Sequence, residues 1–238
     1  MSTLLLVRHG QASFLEPEYD RLSPLGEEQA RRLGDHLVDE RLRPTAWVTG
    51  PRERQRRTAE LAAERLRDAG VPVPELVVLP ELDEHQGGEL LRAHLPRLAS
   101  AHAPIADLAR AFAKTEARSE RGKIADKLLR EALRLWASGD PSTAGIESFV
   151  AVRARAARAL ELVTAGDGHG RCVVAFTSGG LVGAAAAAVL RADDLAALDL
   201  GFVTRNAAFC EILFSGERRS LSQLNARPHL TRDQATYR

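Results

Sequence analysis

Lysine is almost missing from this chain: Lys114, Lys123 and Lys127 stand among 33 basic residues, and arginine supplies the rest. Such a bias is read as genomic base composition, so an arginine matters here by its position and not by its type. Net charge is nearly missing too, at +1, which leaves no global field aimed at nucleic acid or an anionic membrane. Neither is expected as a partner. Cysteine is limited to Cys172 and Cys210. Both sit in apolar runs, so buried free thiols are expected rather than a disulfide. The longest apolar run, Leu181–Leu190, falls short of the about 20 residues that cross a bilayer. No charged leader with an apolar stretch opens the chain, so a cytoplasmic location is expected. Paired Cys-x-x-Cys and His-Glu-x-x-His clusters are absent, so no metal or other cofactor is expected. No internal repeat is visible.

What is present describes one well-packed domain over residues 1–238. The length suffices for a substantial core, and 45% apolar with 27% charged residues is ordinary for a globular protein. Thr3–Val7 is a continuous apolar run, expected as a strand buried on both faces. Ser23-Pro24 opens a helix, with Ser23 as N-cap and Pro24 at the first helical position. Thr45–Thr49 predicts a second strand, and Gly50-Pro51 turns into a helix that runs to about Ala69. Val73–Leu79 predicts a third strand with an uncertain start at its two prolines. His102–Gly139 has helical periodicity without strand signal, and predicts a helical insertion, with Gly122 as a break, over the active site. Glu147–Val163 predicts a further helix, Arg171–Thr177 a strand, Ser178-Gly179-Gly180 an alanine-rich helix to Leu190, and Ala207–Phe214 a last strand before a polar tail. Strands alternating with helices imply an α/β fold: a three-layer α/β/α sandwich on a mostly parallel sheet.

In such a sheet, ligands gather at the carboxyl ends of the strands. Three strand ends here carry Arg8-His9-Gly10-Gln11, Gly50-Pro51 with Arg54, and Thr177-Ser178-Gly179-Gly180; Asp83-Glu84-His85 follows the third strand. Arg8 offers a planar fork of donors suited to phosphate. Gly10 allows a sharp turn that can expose its N–H to an anion. A neutral His9 imidazole attacks phosphorus without first losing a proton.

These residues resemble a family. Leu6-Val7-Arg8-His9-Gly10-Gln11-Ala12-Ser13 resembles the Arg-His-Gly signature of the histidine phosphatases, the phosphoglycerate-mutase-like superfamily. Tyr19-Asp20-Arg21-Leu22-Ser23-Pro24-Leu25-Gly26 with Gln29-Ala30 resembles the family's next conserved stretch. Gly50-Pro51-Arg52-Glu53-Arg54-Gln55-Arg56-Arg57-Thr58-Ala59 is similar to its serine-proline-x-x-arginine-x-x-glutamine-threonine-alanine motif, with Gly50 for serine and Arg57 for glutamine. Leu82-Asp83-Glu84 resembles the leucine-x-glutamate of the proton donor. The resemblance implies that His9 accepts the phosphoryl group. It further implies that Arg8 and Arg54, with Gly10 and Gln11, hold the phosphate, and that Glu84 is the general acid, Asp83 being its competitor.

One departure stands out. The family ends its strand before the penultimate helix in serine-histidine-glycine, and that second histidine touches the phosphate; Ser178 occupies its place here. Ser178 keeps one hydrogen-bond donor and loses a possible positive charge. His85, His169 and Arg57 are the candidates to compensate, both histidines being read first as surface residues. The expected function is therefore a metal-independent phosphomonoester hydrolase working through a phosphohistidine on His9, acting on a small-molecule phosphomonoester or a phosphoprotein. A phosphoglycerate mutase is the first alternative; its usual glutamate-serine after Arg-His-Gly is replaced by Gln11-Ala12-Ser13-Phe14. A non-catalytic phosphate-binding module is the second.

Overall fold

The computed structural model describes residues 1–12, 20–166 and 168–237; Ser13, Phe14 and Tyr19 of the motifs above lie outside them. The strands and helices follow in the order β1 (Ser2–Arg8), α1 (Pro24–Asp39), β2 (Ala46–Thr49), α2 (Glu53–Asp68), β3 (Leu76–Val78), α3 (Gly87–Ala101), α4 (Ala103–Lys114) and α5 (Arg118–Ala137). They continue as α6 (Phe149–Thr164), β4 (Cys172–Thr177), α7 (Gly179–Leu190), α8 (Asp194–Val203), β5 (Phe209–Ser215) and β6 (Arg218–Ala226). The chain divides into two compact units: Met1–Glu84 with Arg153–Arg238, and His85–Val152.

The first unit holds one sheet in the order β3-β2-β4-β1-β5-β6. The first four strands run parallel, while β5 and β6 are antiparallel to their neighbours. The mostly parallel α/β sheet is the one expected from the alternation of strands and helices. Pleating sends alternate residues of β1 to opposite faces. Leu5 and Val7 pack with Leu33 and Leu37 of α1 and Ala59, Ala62 and Leu66 of α2. On the other face Leu6 converges with Ala156, Ala159, Leu160 and Val163 of α6 and Leu181 and Ala185 of α7. These two helical layers bury the sheet between them, and each fully buried aliphatic side chain contributes about 1.5–3 kcal/mol. Register then sets the site. Val7 pairs with Phe176 and Arg8 with Thr177, while Thr49 also pairs with Phe176. The carboxyl ends of β1, β2 and β4 are therefore level, and His9, Gly50 and Ser178 leave the sheet side by side.

Helix α1 starts as its sequence predicts: Ser23 Oγ accepts the Gly26 N–H at 3.0 Å, and Pro24 occupies the first turn. Other elements differ from expectation. The strand predicted over 73–79 shrinks to Leu76–Val78, because Pro72 and Pro74 cannot donate to a ladder. The polar tail contains β6, a half-exposed edge strand whose residues need no apolar alternation. Helix α8 was hidden by its short length, although Asp193 caps it through a bond to the Ala196 N–H.

The second unit is wider than the predicted insertion of 102–139, since α3 precedes it and α6 begins within it. Its break falls at Thr115–Ala117, between α4 and α5, and not at Gly122, which is helical. Thr115 closes α4 by donating its hydroxyl to the Ala111 carbonyl at 2.8 Å. Leu90, Leu98, Ile105, Leu128, Leu133 and Trp136 are among its buried side chains. The Trp136 ring packs on Phe149 at 5.0 Å and on His85 at 5.2 Å, and its Nε1 donates to the Glu147 carbonyl.

Candidate active site

His9 follows the last residue of β1 and is held by its backbone on both sides. Its N–H donates to the Thr177 carbonyl at 2.9 Å, and its carbonyl accepts from the Ala207 N–H and Asn206 Nδ2. Gly10 is obligatory: a Cβ there would stand 2.3 Å from the Gly26 carbonyl oxygen, and one on Gly26 would stand 2.0 Å from that of Gln11. This mutual contact lets the loop after β1 lie directly on the first turn of α1.

The ring of His9 is fully determined. Nδ1 stands 2.6 Å from the Gly10 carbonyl, an acceptor only, so Nδ1 carries the proton. Nε2 then presents its lone pair, and Arg54 Nε donates to it at 3.0 Å. Burial, then Arg54, then Arg8 disfavour the imidazolium and hold His9 well below the usual histidine range, against a smaller opposing effect of the Gly10 carbonyl. The imidazole is neutral at neutral pH.

Arg54 lies in the first turn of α2 and is 5% exposed. Besides His9 it binds Asp20, Nη1 to Oδ1 at 2.7 Å, and the other Asp20 oxygen accepts the Glu53 N–H at 2.9 Å. Arg8 donates through Nη1 to the Thr204 carbonyl and through Nη2 to the Tyr237 carbonyl at 2.8 Å. Its guanidinium lies over Gly179, where a Cβ would meet Nε at 3.3 Å. The two arginines thus flank the strand ends from opposite sides.

The Gly10 N–H, expected to face an anion, donates instead to Thr58 Oγ1 at 3.0 Å, because that hydroxyl spends its own proton on the Arg54 carbonyl and turns a lone pair to the loop. Gln11 ties the loop to α1: its Oε1 accepts from Ser23 Oγ, and its N–H donates to Gln29 Oε1, both at 2.8 Å. Asp83 and Glu84 separate cleanly. Asp83 is paired with Arg52, Oδ1 to Nε at 2.5 Å. The Glu84 carboxylate instead receives the Gly180 N–H at 3.4 Å, at the start of α7. The N-terminus of α7 therefore faces Glu84.

Ser178 is fully buried, and its hydroxyl accepts from Gln55 Nε2 at 2.8 Å. Two of the three candidate compensators lie away from Ser178. Arg57 points at Glu27, Glu60 and Glu64. His169 precedes β4, at the amino end of the sheet, and His85 packs on Trp136 in the second unit. Sequence reasoning assigned no role to Asp20, Gln55, Thr58 or Asn206. Three of them, Gln55, Thr58 and Asn206, are completely buried polar residues, which is a signal only a structure supplies.

Residues 4–126 and 119–227 match the sequence model of the Histidine phosphatase superfamily (branch 1). No curated protein matches the chain. Among solved structures the chain is similar to a phosphoserine phosphatase variant from Entamoeba histolytica in complex with phosphoserine, at a TM-score of 0.63 and 16% identity over 97% of this chain and 100% of that one. It is also similar to the mycobacterial glucosyl-3-phosphoglycerate phosphatase with inorganic phosphate, at a TM-score of 0.62 and 24% identity over 96% and 99%. A third structure, mycobacterial hydrolase 1, has a TM-score of 0.62 and 24% identity over 94% and 98%. At these identities the likeness is one of fold.

Proposed function

The chain belongs to the histidine phosphatase superfamily, branch 1, and from that premise we propose that it hydrolyses phosphomonoesters through a phosphohistidine on His9. The observation that carries this reading is the state of the imidazole: neutral, protonated on Nδ1, with the Nε2 lone pair beside the Arg54 guanidinium. A nucleophile and an electrophilic clamp on one atom are what phosphoryl transfer needs and what a structural histidine does not.

A substrate phosphoryl group entering between Arg8 and Arg54 accepts the Arg54 N–H that otherwise goes to Nε2, and so releases the lone pair. Nε2 forms the P–N bond while the ester P–O bond breaks. Glu84 gives its proton to the departing alkoxide and becomes the carboxylate. It next takes a proton from water, whose oxygen attacks phosphorus as the P–N bond breaks and inorganic phosphate forms. One group serves as acid and then as base, as two-step hydrolysis requires. Asp20 holds Arg54 in place through the 2.7 Å ion pair. Charge neutralisation is assigned to the arginines, so the reading uses no metal.

Phosphoserine and glucosyl-3-phosphoglycerate, named with the structural relatives, are the first substrates to offer, with para-nitrophenyl phosphate as generic control. The protein is exposed to each, quenched and examined for bound phosphate. Phosphate on His9 that is labile to acid and stable to base, with release of inorganic phosphate, supports the reading. Binding without any phosphorylated His9 or turnover leaves a phosphate-binding module. With 3-phosphoglycerate offered as a further substrate, its conversion to the isomer instead of hydrolysis makes the chain a mutase.

A further inference from the structure

Two departures from the family's motifs, Gly50 for serine and Ser178 for histidine, meet at a single side chain, Gln55. Gln55 occupies one of the motif's unspecified positions, next to Arg54 in the first turn of α2, and is fully buried. Its amide orientation is determined by its partners. Oε1 accepts the Arg52 N–H at 3.1 Å, and Nε2 faces the Leu82 carbonyl at 3.3 Å. With oxygen and nitrogen so assigned, Nε2 donates to Ser178 Oγ at 2.8 Å.

Gly50 makes room for this arrangement. A Cβ at Gly50 would stand 2.2 Å from Gln55 Oε1 and 2.6 Å from the Leu82 carbonyl oxygen. The serine of the family motif is therefore incompatible with Gln55 in this pose, whereas glycine admits it. Ser178, for its part, is the residue before α7 yet caps no amide of that helix. Its oxygen is turned to Gln55 instead. Because Gln55 donates, the Ser178 hydroxyl keeps its own proton, and among the described residues no acceptor takes it. A buried hydroxyl with an unspent proton, at a strand end level with His9, is a donor awaiting an acceptor.

We propose that Gln55 and Ser178 act as one unit in place of the missing histidine: Gln55 orients the Ser178 hydroxyl, and that hydroxyl donates to a phosphoryl oxygen held at His9. The inference rests on the phosphatase reading of the site and deepens it. Ser178 is the group that touches the ligand; Gln55 is a positioning residue, and Gly50 is the space it requires. Donation by Gln55 also polarises the hydroxyl, which strengthens the bond it makes in turn. The pair is neutral, so unlike an imidazole it does not titrate between pH 5 and 9.

The test uses orthovanadate and inorganic phosphate on the full chain, which separates this inference from turnover. A crystal structure of the wild-type protein with vanadate should show Ser178 Oγ within hydrogen-bond reach of a vanadate oxygen, while Gln55 Nε2 keeps its contact with Oγ. A hydroxyl turned away from the anion overturns the proposal whether or not the protein is a phosphatase. In calorimetry, Ser178→Ala and Gln55→Leu should each weaken phosphate binding by about 2–13-fold, the range of one neutral hydrogen bond. Their double variant should lose no more than the larger single, as for two residues acting through one bond. Additive losses, or unchanged binding in Ser178→Ala, refute the unit. If the wild type turns over substrate, the triple variant Gly50→Ser, Gln55→Ala, Ser178→His should regain activity relative to Ser178→Ala. Its pH–rate profile should gain an ionisation in the histidine range that the wild type lacks. A triple variant that folds, as judged by circular dichroism, and binds phosphate no better than Ser178→Ala also counts against the proposal.

Discussion

Arg54 Nε donates to His9 Nε2 across 3.0 Å, while the opposite ring nitrogen is anchored 2.6 Å from the Gly10 carbonyl. The clamp for the anion and the nucleophile are thus in direct contact. Burial and the two arginines resist protonation of this ring, so lowering the pH from 7.5 through 6.5 should leave it neutral. Nitrogen-detected NMR should report the Nδ1–H tautomer, titrating well below 6.5. A His9 resonance that titrates at or above 6.5 contradicts the arrangement. His9→Ala should retain the fold and lose turnover to background.

Glu84 is expected to protonate the leaving oxygen, which gives a leaving-group signature. General acid catalysis contributes typically about 10²–10⁴-fold. Glu84→Gln should therefore slow alkyl phosphates by about that factor and para-nitrophenyl phosphate by much less, because nitrophenolate departs without a proton. The Asp83→Asn variant should affect the two substrates equally, since Asp83 is occupied by Arg52. Equal losses on both substrates in Glu84→Gln would remove the acid role.

The parts of this site that were legible in the sequence are those set by local geometry. A strand that ends in Arg8-His9-Gly10, a proline turn that leads into Arg54, and Glu84 after a strand each carry their meaning within a few residues. The rest depends on contacts across most of the chain. Arg8 is bound by carbonyls 196 and 229 positions away, and Asn206 reaches His9 across 197. Ser178 was legible as a departure, but its partner Gln55, 123 positions distant, was not. Among the elements, β6 escaped because its large apolar residues, Leu221 and Leu224, stand three apart and show no period-two alternation. The break at Thr115–Ala117 escaped because Gly122 has the stronger local signal, and one glycine costs a helix only about 1 kcal/mol.

The polar tail participates in the site and should not be dispensable. Gln29, fully buried, gives its amide to the Gln234 carbonyl and to Thr236 Oγ1, and Asn206 binds both the Thr236 carbonyl and its hydroxyl. Tyr237 supplies the carbonyl on Arg8, and Arg205 Cζ lies 4.2 Å above the Tyr237 ring centroid. Removing residues 231–238 orphans several buried groups, at about 1–3 kcal/mol each. Each kcal/mol lowers Tm by about 2–4 °C at this size, so a loss of about 5 °C or more is expected. Arg8 also loses the Tyr237 carbonyl that anchors it, and KM should rise more than kcat falls. A truncated chain with the wild-type Tm and KM would show that the tail is not part of the site.

A second histidine makes stability depend on pH. His229 stacks on His36 at 5.8 Å and on Phe209 at 6.4 Å. Burial first, then the neighbouring His36, push its pKa down to about 4. In the unfolded chain the same ring titrates near 6.5. Above 6.5 neither state binds the proton, and the full stability is present. Between 6.5 and about 4 the unfolded chain takes up a proton that the folded chain refuses, so stability falls as pH falls, by at most about 1.4 kcal/mol per pH unit for this group. His9, also depressed, adds a loss of the same sign. His229→Phe keeps an aromatic ring in the stack and removes the titration. Melting curves from pH 7.5 to 4.5 should therefore fall more steeply for the wild type than for the variant, with the two diverging below 6.5. Carboxylates contribute alike to both proteins and cancel in the comparison. Parallel curves throughout this range would mean that His229 is as easily protonated folded as unfolded.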